Sequence, residues 1–232
     1  MRFSKILNDV ICSFTISANG PVIIADGNSN RTNPEKADTC FLTSRNNGET
    51  AYVIPGSSIK GVIRKYVEEC FYFDDDKINM LFGSVKTKPS IKSKVSFSDA
   101  FADMKTVKTD MFFNTAISPI GQGVKGGSLN SVEAVVEGDF HTGFTMKNAD
   151  DTELHYIAKA LNALGNGEIC IGGRKSRGFG NVKIKNFKLI VSNGFDMDLK
   201  PVIVAEYDNV KTLLNDIKRG KISLSTEVPY VQ

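Results

Sequence analysis

Residues 172–182 read GGRKSRGFGNV. Four glycines, Gly172, Gly173, Gly178 and Gly180, bracket three cations, Arg174, Lys175 and Arg177. Glycine lets a backbone approach a ligand closely and adopt positive φ. Successive exposed N–H groups form an anion-binding concavity. Arginine supplies a planar fork that matches phosphate, and lysine a point charge. The segment has the chemistry to lie against a polyanion, with Gly173, Arg174, Lys175, Ser176 and Arg177 as contacts. A glycine-rich hairpin loop with solvated charges has the same composition, and on composition alone the two readings weigh about equally.

A second phosphate-type element lies upstream, IPGSSIKGVIRKYVEECF at 54–71. Ile59, Val62, Ile63, Tyr66, Val67, Cys70 and Phe71 recur at helical spacing, which predicts an amphipathic helix over 57–71. Pro55-Gly56 marks the turn before it, and Ser57 or Ser58 is the expected N-cap. Lys60 and Arg64 fall at i, i+4 in the first turns, where the helix dipole is already positive. An anion at that end relieves the conflict. Gly56, Ser57, Ser58, Lys60 and Arg64 are therefore candidate phosphate contacts, against the plainer reading of a surface helix with two solvated cations. Lys125, inside GQGVKGG at 121–127, is a further candidate cation.

A chain of 232 residues with 41% hydrophobic and 24% charged residues is long enough and apolar enough to bury a substantial core. The net charge of +3 permits nucleic-acid binding through local patches without demanding it. Cys12, Cys40, Cys70 and Cys170 are far apart and form no CxxC. With Cys12, Cys70 and Cys170 inside apolar patterns, buried reduced thiols in a cytoplasmic protein are expected, and a structural zinc site is not. There is no signal-peptide h-region and no apolar run that approaches a membrane span, so no membrane partner is expected.

Strand patterns at 5–17 and 22–25 flank Asn19-Gly20-Pro21. Residues 26–50 read as a long polar loop, functional or mobile by its length. A short strand at 52–54 enters the helix. Asp74-Asp75-Asp76 reads as an acidic turn; three adjacent carboxylates cannot converge on one ion. A half-buried strand follows at 95–101, then an extended hairpin or arm over 103–131, and two strands over 133–146 broken at Gly138-Asp139. A second amphipathic helix spans 152–164, capped by Asp151 or Thr152 and ended by Gly165. The strand over 180–191 slips phase between Ile184 and Phe187, which predicts a bulge. Residues 193–232 are weakly patterned, with a short helix near 208–218. This order fits an α+β fold, a ferredoxin-like (RRM-like) βαββαβ palm in a single domain over 1–232, with helices on one face of an antiparallel sheet, an inserted loop at 26–50, a thumb-like hairpin at 103–131 and a C-terminal extension from 193.

Taken together, IPGSSIKGVIR (54–64), LFG (81–83), VSFSDA (95–100), EAVVEGDF (133–140) and GGRKSRGFGNV (172–182) resemble the RAMP superfamily of CRISPR effector proteins. Length and motif order look most like the repeated backbone subunit of type III complexes. That resemblance implies copies stacked along a guide CRISPR RNA together with other effector subunits, a hairpin thumb that kinks the guide–target duplex, and cleavage of single-stranded target RNA. It places the cleaving aspartate in the loop before IPGSS, where Asp38 is the matching residue and Asp26 the fallback. The loop departs from the family pattern, with Cys40 where proline is usual and ADGNSN at 25–30 in place of a glycine-glycine-serine turn.

RNA carries its own nucleophile, the 2′-hydroxyl, so cleavage needs in-line geometry, a proton acceptor or donor, and stabilised phosphoryl charge. One loop carboxylate can serve, with Mg²⁺ or Mn²⁺ keeping most of its waters. Three readings follow: a metal-dependent endoribonuclease subunit, a non-catalytic RNA-binding scaffold of the same kind of complex, and a ferredoxin-like protein with an unrelated small ligand. A repeat-processing RNase of this superfamily commonly places a histidine near its first helix; His141 and His155 are placed elsewhere, which ranks that activity below the first two.

Overall fold

A computed structural model describes residues 6–27, 37–71, 75–115, 129–195, 200–222 and 224. Strand β1 (Asp9–Ala18) sends Val10, Cys12, Phe14 and Ile16 into the core and leaves Ile11 exposed. β2 (Thr43–Asn46) and β3 (Glu49–Ile54) form a hairpin on Asn47-Gly48, whose φ values are 50° and 87°. Helix α1 (Gly56–Cys70) buries Gly56, Ile59, Ile63 and Val67, and is followed by α2 (Asp75–Phe82). β4 (Val95–Phe97) and β5 (Ala100–Ala102) come next. β6 (Lys108–Asn114) and β7 (Asn130–Glu137) pair antiparallel as a separate two-stranded sheet. β8 (Asp139–Lys147), α3 (Asp151–Gly165), β9 (Val182–Phe195), β10 (Pro201–Tyr207) and α4 (Val210–Lys218) complete the described chain.

The main sheet runs β10-β9-β1-β8-β5-β3-β2, with β4 also on β8. Its centre, β9-β1-β8-β4/β5, is the antiparallel order of a ferredoxin-like palm, in which β1, α1, β4/β5, β8, α3 and β9 are the βαββαβ units. Helix α3 buries Leu154, Ile157, Leu161 and Leu164, packs on β9, and meets α1 on the same side of the sheet. A capping box, Asp150 with Glu153, starts α3. Leu213 and Leu214 of α4 are buried where it packs against α3.

Several expectations change. Residues 43–50 of the supposed loop form a hairpin with the strand expected at 52–54, because Asn-Gly adopts the left-handed conformations that a two-residue turn requires. Residues 75–77 open a helix rather than a turn. The strand expected at 95–101 is split, because Ser98-Asp99 turns aside: Ser98 N–H donates to Gly143 O at 2.9 Å. Neither Ser57 nor Ser58 caps α1; Pro55 is the N-cap, and its carbonyl accepts from Ser58 at 2.9 Å and Ile59 at 3.2 Å. Asp150, not Asp151 or Thr152, caps α3. Cys70 is exposed rather than buried, Cys170 is half-buried, and all four cysteines are free. Strand β10 went unread in the weakly patterned tail. Lys125 with its GQGVKGG run, Asp74, and residues 28–36 of the polar loop lie outside the described residues.

Candidate functional site

The glycine-rich segment leaves Ile171, whose N–H donates to Gly180 O at 2.9 Å and closes the loop at its neck. Arg174 (φ 57°) and Gly178 (φ 82°) flank a tight 3₁₀ turn at Lys175–Arg177. The glycines divide into two kinds. A Cβ on Gly172 would lie 2.2 Å from Ile23 O, and one on Gly180 2.1 Å from Ile171 O, so both are required by the chain's own backbone. A Cβ on Gly178 would meet nothing within 4 Å and one on Gly173 only Ile23 Cγ2 at 3.8 Å; both glycines are exposed, as are Lys175, Ser176 and Arg177. Ile23 carries the loop: its carbonyl accepts from Gly173 at 3.0 Å, and two residues earlier Pro21 O accepts from Gly180 at 2.8 Å.

Helix α1 presents two polar faces, with opposite fates. Lys60 Nζ donates to Ser93 Oγ at 2.8 Å, and burial, then the neighbouring Arg64, holds its pKa below the usual lysine value. Arg64 donates to Glu68 at 2.7 Å, Gly83 O at 3.1 Å and Asn79 Oδ1 at 3.3 Å. These two cations stitch α1 to α2 and to the strand-like return before β4. The anion expected at the helix start is supplied from within, because Asp99 Oδ1 accepts the Gly56 N–H at 2.8 Å. Gly56 itself is buried, and a Cβ there would lie 2.3 Å from Phe97 O.

The other face, Ser58, Gly61, Val62 and Lys65, lines a groove of about 450 Å³ against Gly172, Gly173 and Lys175, with Ile24 and Ala25 as its floor. The two sequence-predicted elements therefore do meet, across Ser58 and Lys65 rather than Lys60 and Arg64. A Cβ on Gly61 would have nothing within 4 Å, so this glycine leaves bare helix backbone toward the groove. Sequence reasoning missed Gly61 and Lys65. The available signal was a glycine kept inside an otherwise strong helix, where it costs about 1 kcal/mol relative to alanine.

Asp38 lies in a strand-like segment that runs parallel to β7. Thr39 pairs with Val132, Thr39 N–H donates to Ser131 O at 3.2 Å, and Glu133 N–H donates to Thr39 O at 3.0 Å. Asp38 Oδ2 accepts from Ser131 N–H at 2.7 Å and from its hydroxyl at 3.0 Å. The carboxylate is half-buried and positioned, not a swinging loop group. Asp26 is close by, since its N–H donates to Cys40 O at 3.2 Å. Ser131, which holds Asp38, and Glu133 are two residues apart on β7 and so share one face, about 7 Å apart along the strand. Tyr52 donates to Glu133 Oε1 at 2.8 Å, and burial and then Glu133 push its phenol up to about 12, which keeps it protonated. On β6, exposed Phe113 and Met111 lie opposite Ser131 and Glu133. Neither Tyr52 nor Glu133 was singled out from sequence, because only the three-dimensional pairing of β7 with residues 37–41 brings them to Asp38.

The two sites share β7. Arg174 Nη2 donates to Asn130 Oδ1, next to Ser131, while its Nη1 is buried without a hydrogen-bond partner. Burial and then Arg177 lower its pKa. Phe179 packs edge-on against Phe112 of β6, ring centroids 5.1 Å apart, which ties the hairpin to the glycine-rich loop. Asp38 and Glu133 are hard oxygen donors that suit Mg²⁺ or Mn²⁺, and among the described residues no cluster of three His, Cys, Asp or Glu could cage an ion. An ion here fits as one held by one or two carboxylates, water and substrate phosphate. His155, on α3, and His141, on β8, sit away from both sites. No helix among the described residues is long and apolar enough to cross a membrane.

Comparison with curated proteins finds no match. Among solved structures, a chain from the electron cryomicroscopy structure of the type III-B Cmr-beta complex bound to cognate target RNA shares the fold, with a TM-score of 0.58 and 17% identity. The match covers 79% of this chain and 61% of that one, so this chain spans less than two thirds of its neighbour's length. The RAMP superfamily model matches residues 15–183, from within β1 through α1 and the glycine-rich loop to the start of β9. A match over that much of the palm, including both walls of the groove, shows that the chain belongs to the RAMP superfamily.

Proposed function

We propose that this chain is a subunit of a type III CRISPR effector complex that binds guide CRISPR RNA in the groove between α1 and the glycine-rich loop and cleaves complementary single-stranded target RNA at Asp38. The observation that carries the reading is that groove. It sets Lys65, Lys175, two open glycines and a serine around one concave surface, the residue types that contact phosphate and sugar rather than bases. Guide recognition is therefore independent of guide sequence. Other copies of the chain, other effector subunits and the target strand are its partners, and the cytoplasm its compartment.

Cleavage proceeds by attack of the 2′-oxygen on the adjacent phosphorus. The P–O5′ bond breaks and solvent water protonates the departing 5′-oxygen, leaving a 2′,3′-cyclic phosphate and a 5′-hydroxyl. Asp38, fixed by Ser131, holds the 2′-hydroxyl proton, and Glu133, fixed by Tyr52, is the neighbouring carboxyl group. A divalent cation, if held by Asp38 or Glu133 together with water, would supply neutralising charge to the phosphoryl group. The competing reading, a non-catalytic scaffold, draws on the double hydrogen bond from Ser131, because a carboxylate so engaged also serves to hold the hairpin. Asp38→Asn separates the two: its amide oxygen still accepts from Ser131, but the charge is gone. In the assembled complex with saturating target and Mg²⁺ or Mn²⁺, the expected outcome is loss of cleavage by about 10²-fold or more with target binding intact. Parent-like cleavage by Asp38→Asn assigns the scaffold role.

A further inference from the structure

The palm's helix-free face carries a row of three like pairs along the β1–β9 seam. Lys183 lies opposite Ser17, Lys185 opposite Thr15, and Lys188 opposite Ser13. All three lysines are exposed. Strand alternation alone puts only the first two on this face. The register shift at Asn186 (φ 50°) inserts one residue, which sends Phe187 into the core and returns Lys188 to the row. The bulge is pinned: Asn186 Nδ2 donates to Thr15 Oγ1 at 3.3 Å, and Thr15 also shares a 3.2 Å hydrogen bond with His141 Nδ1. Successive pairs are about 7 Å apart by the strand rise. Asp139, 3.7 Å from Lys185, is the acid paired to the row. No Phe or Tyr interrupts these three pairs, and apolar Ile11 and Ile190 meet only past Lys188. Of the facing hydroxyls Thr15 and Ser17 are buried and only Ser13 is exposed, so the row presents its three ammonium groups. Protein interfaces have an apolar, aromatic-rich centre, whereas ammonium groups at regular spacing are phosphate contacts. The row starts three residues past Gly180, at the end of the sheet where the glycine-rich loop lies.

We propose that the Lys183–Lys185–Lys188 row binds the phosphodiester backbone of a nucleic-acid segment other than the one held in the groove. This surface does not depend on the groove reading. The test is fluorescence anisotropy of the purified full chain with a labelled, mixed-sequence single-stranded RNA over a salt series. The triple variant K183E/K185E/K188E is expected to bind about tenfold or more weakly, with its salt slope reduced by about 2, roughly 0.7 per lost contact. The triple-arginine variant is expected to bind like the parent. Combined with K65E/K175E, the losses should multiply, as for separate sites. Unchanged affinity and slope in the triple-glutamate variant overturn the proposal, as does a parent chain that binds no RNA. Unchanged RNA binding with failed complex assembly assigns the row to an acidic protein partner and overturns it too. A parent-like K65E/K175E chain counts against the groove alone.

Discussion

Cations that look alike in sequence have different tasks in the fold. Lys60, Arg64 and Lys65 lie within six residues, yet Lys60 and Arg64 hold α1 to its neighbours while Lys65 faces the groove. Helical spacing located the polar positions; it could not say which polar face meets protein and which meets solvent, because that depends on where α2 and the return to β4 pack. Tyr52 gives a direct test at this scale. Its phenol rises from 10.0 to about 12 in the fold, so the neutral form is favoured by folding. The sign follows: its contribution is complete below about pH 10 and is lost as pH rises through 12. Urea midpoints measured at pH 9 and pH 11.5 are expected to fall more for the parent than for Tyr52→Phe. An equal fall for both chains contradicts the burial of the Tyr52 hydroxyl and its bond to Glu133 together.

At the level of elements, the motifs were legible where their physics is local. The amphipathic face of α1, the α3 helix, the break at Gly138 and the bulge in β9 all follow from periodicity or a breaker residue. The Asn47-Gly48 hairpin was hidden by polar flanks, and the true start of α1 by its dependence on Asp99, 43 residues from Gly56. The glycines show why spacing alone was insufficient: the same residue type closes the loop at 172 and 180 and opens a surface at 61 and 173. Gly172→Ala is expected to destabilise by about 2 kcal/mol or more, from its left-handed φ and the approach to Ile23 O. Gly61→Ala should instead stabilise by up to about 1 kcal/mol, since its Cβ meets nothing, while weakening RNA binding by filling the groove wall. Chemical denaturation of the two variants decides both signs, and a Gly172→Ala chain as stable as the parent contradicts the loop geometry.

For the whole molecule, the palm order was readable because each βαββαβ unit carries its own pattern. In the extension the helix near 208–218 was readable and is α4, Val210–Lys218, but β10 was not, since it leaves Val202, Ile203 and Val204 exposed and so lacks a half-buried alternation. The pairing of residues 37–41 with β7 is likewise a long-range event that no window of sequence displays, and it sets Asp38 on Ser131, two residues from the Glu133 that Tyr52 holds. The proposed guide binding turns on α1 and the glycine-rich loop holding one RNA strand between them. Photo-crosslinking of the assembled complex with 4-thiouridine-substituted guide RNA, the modified peptides mapped by mass spectrometry, addresses this without an intermediary. Adducts are predicted on both walls, within 58–65 and within 172–177, and are predicted to disappear together in K65E/K175E. Adducts confined to one wall, or to neither, would contradict the shared groove.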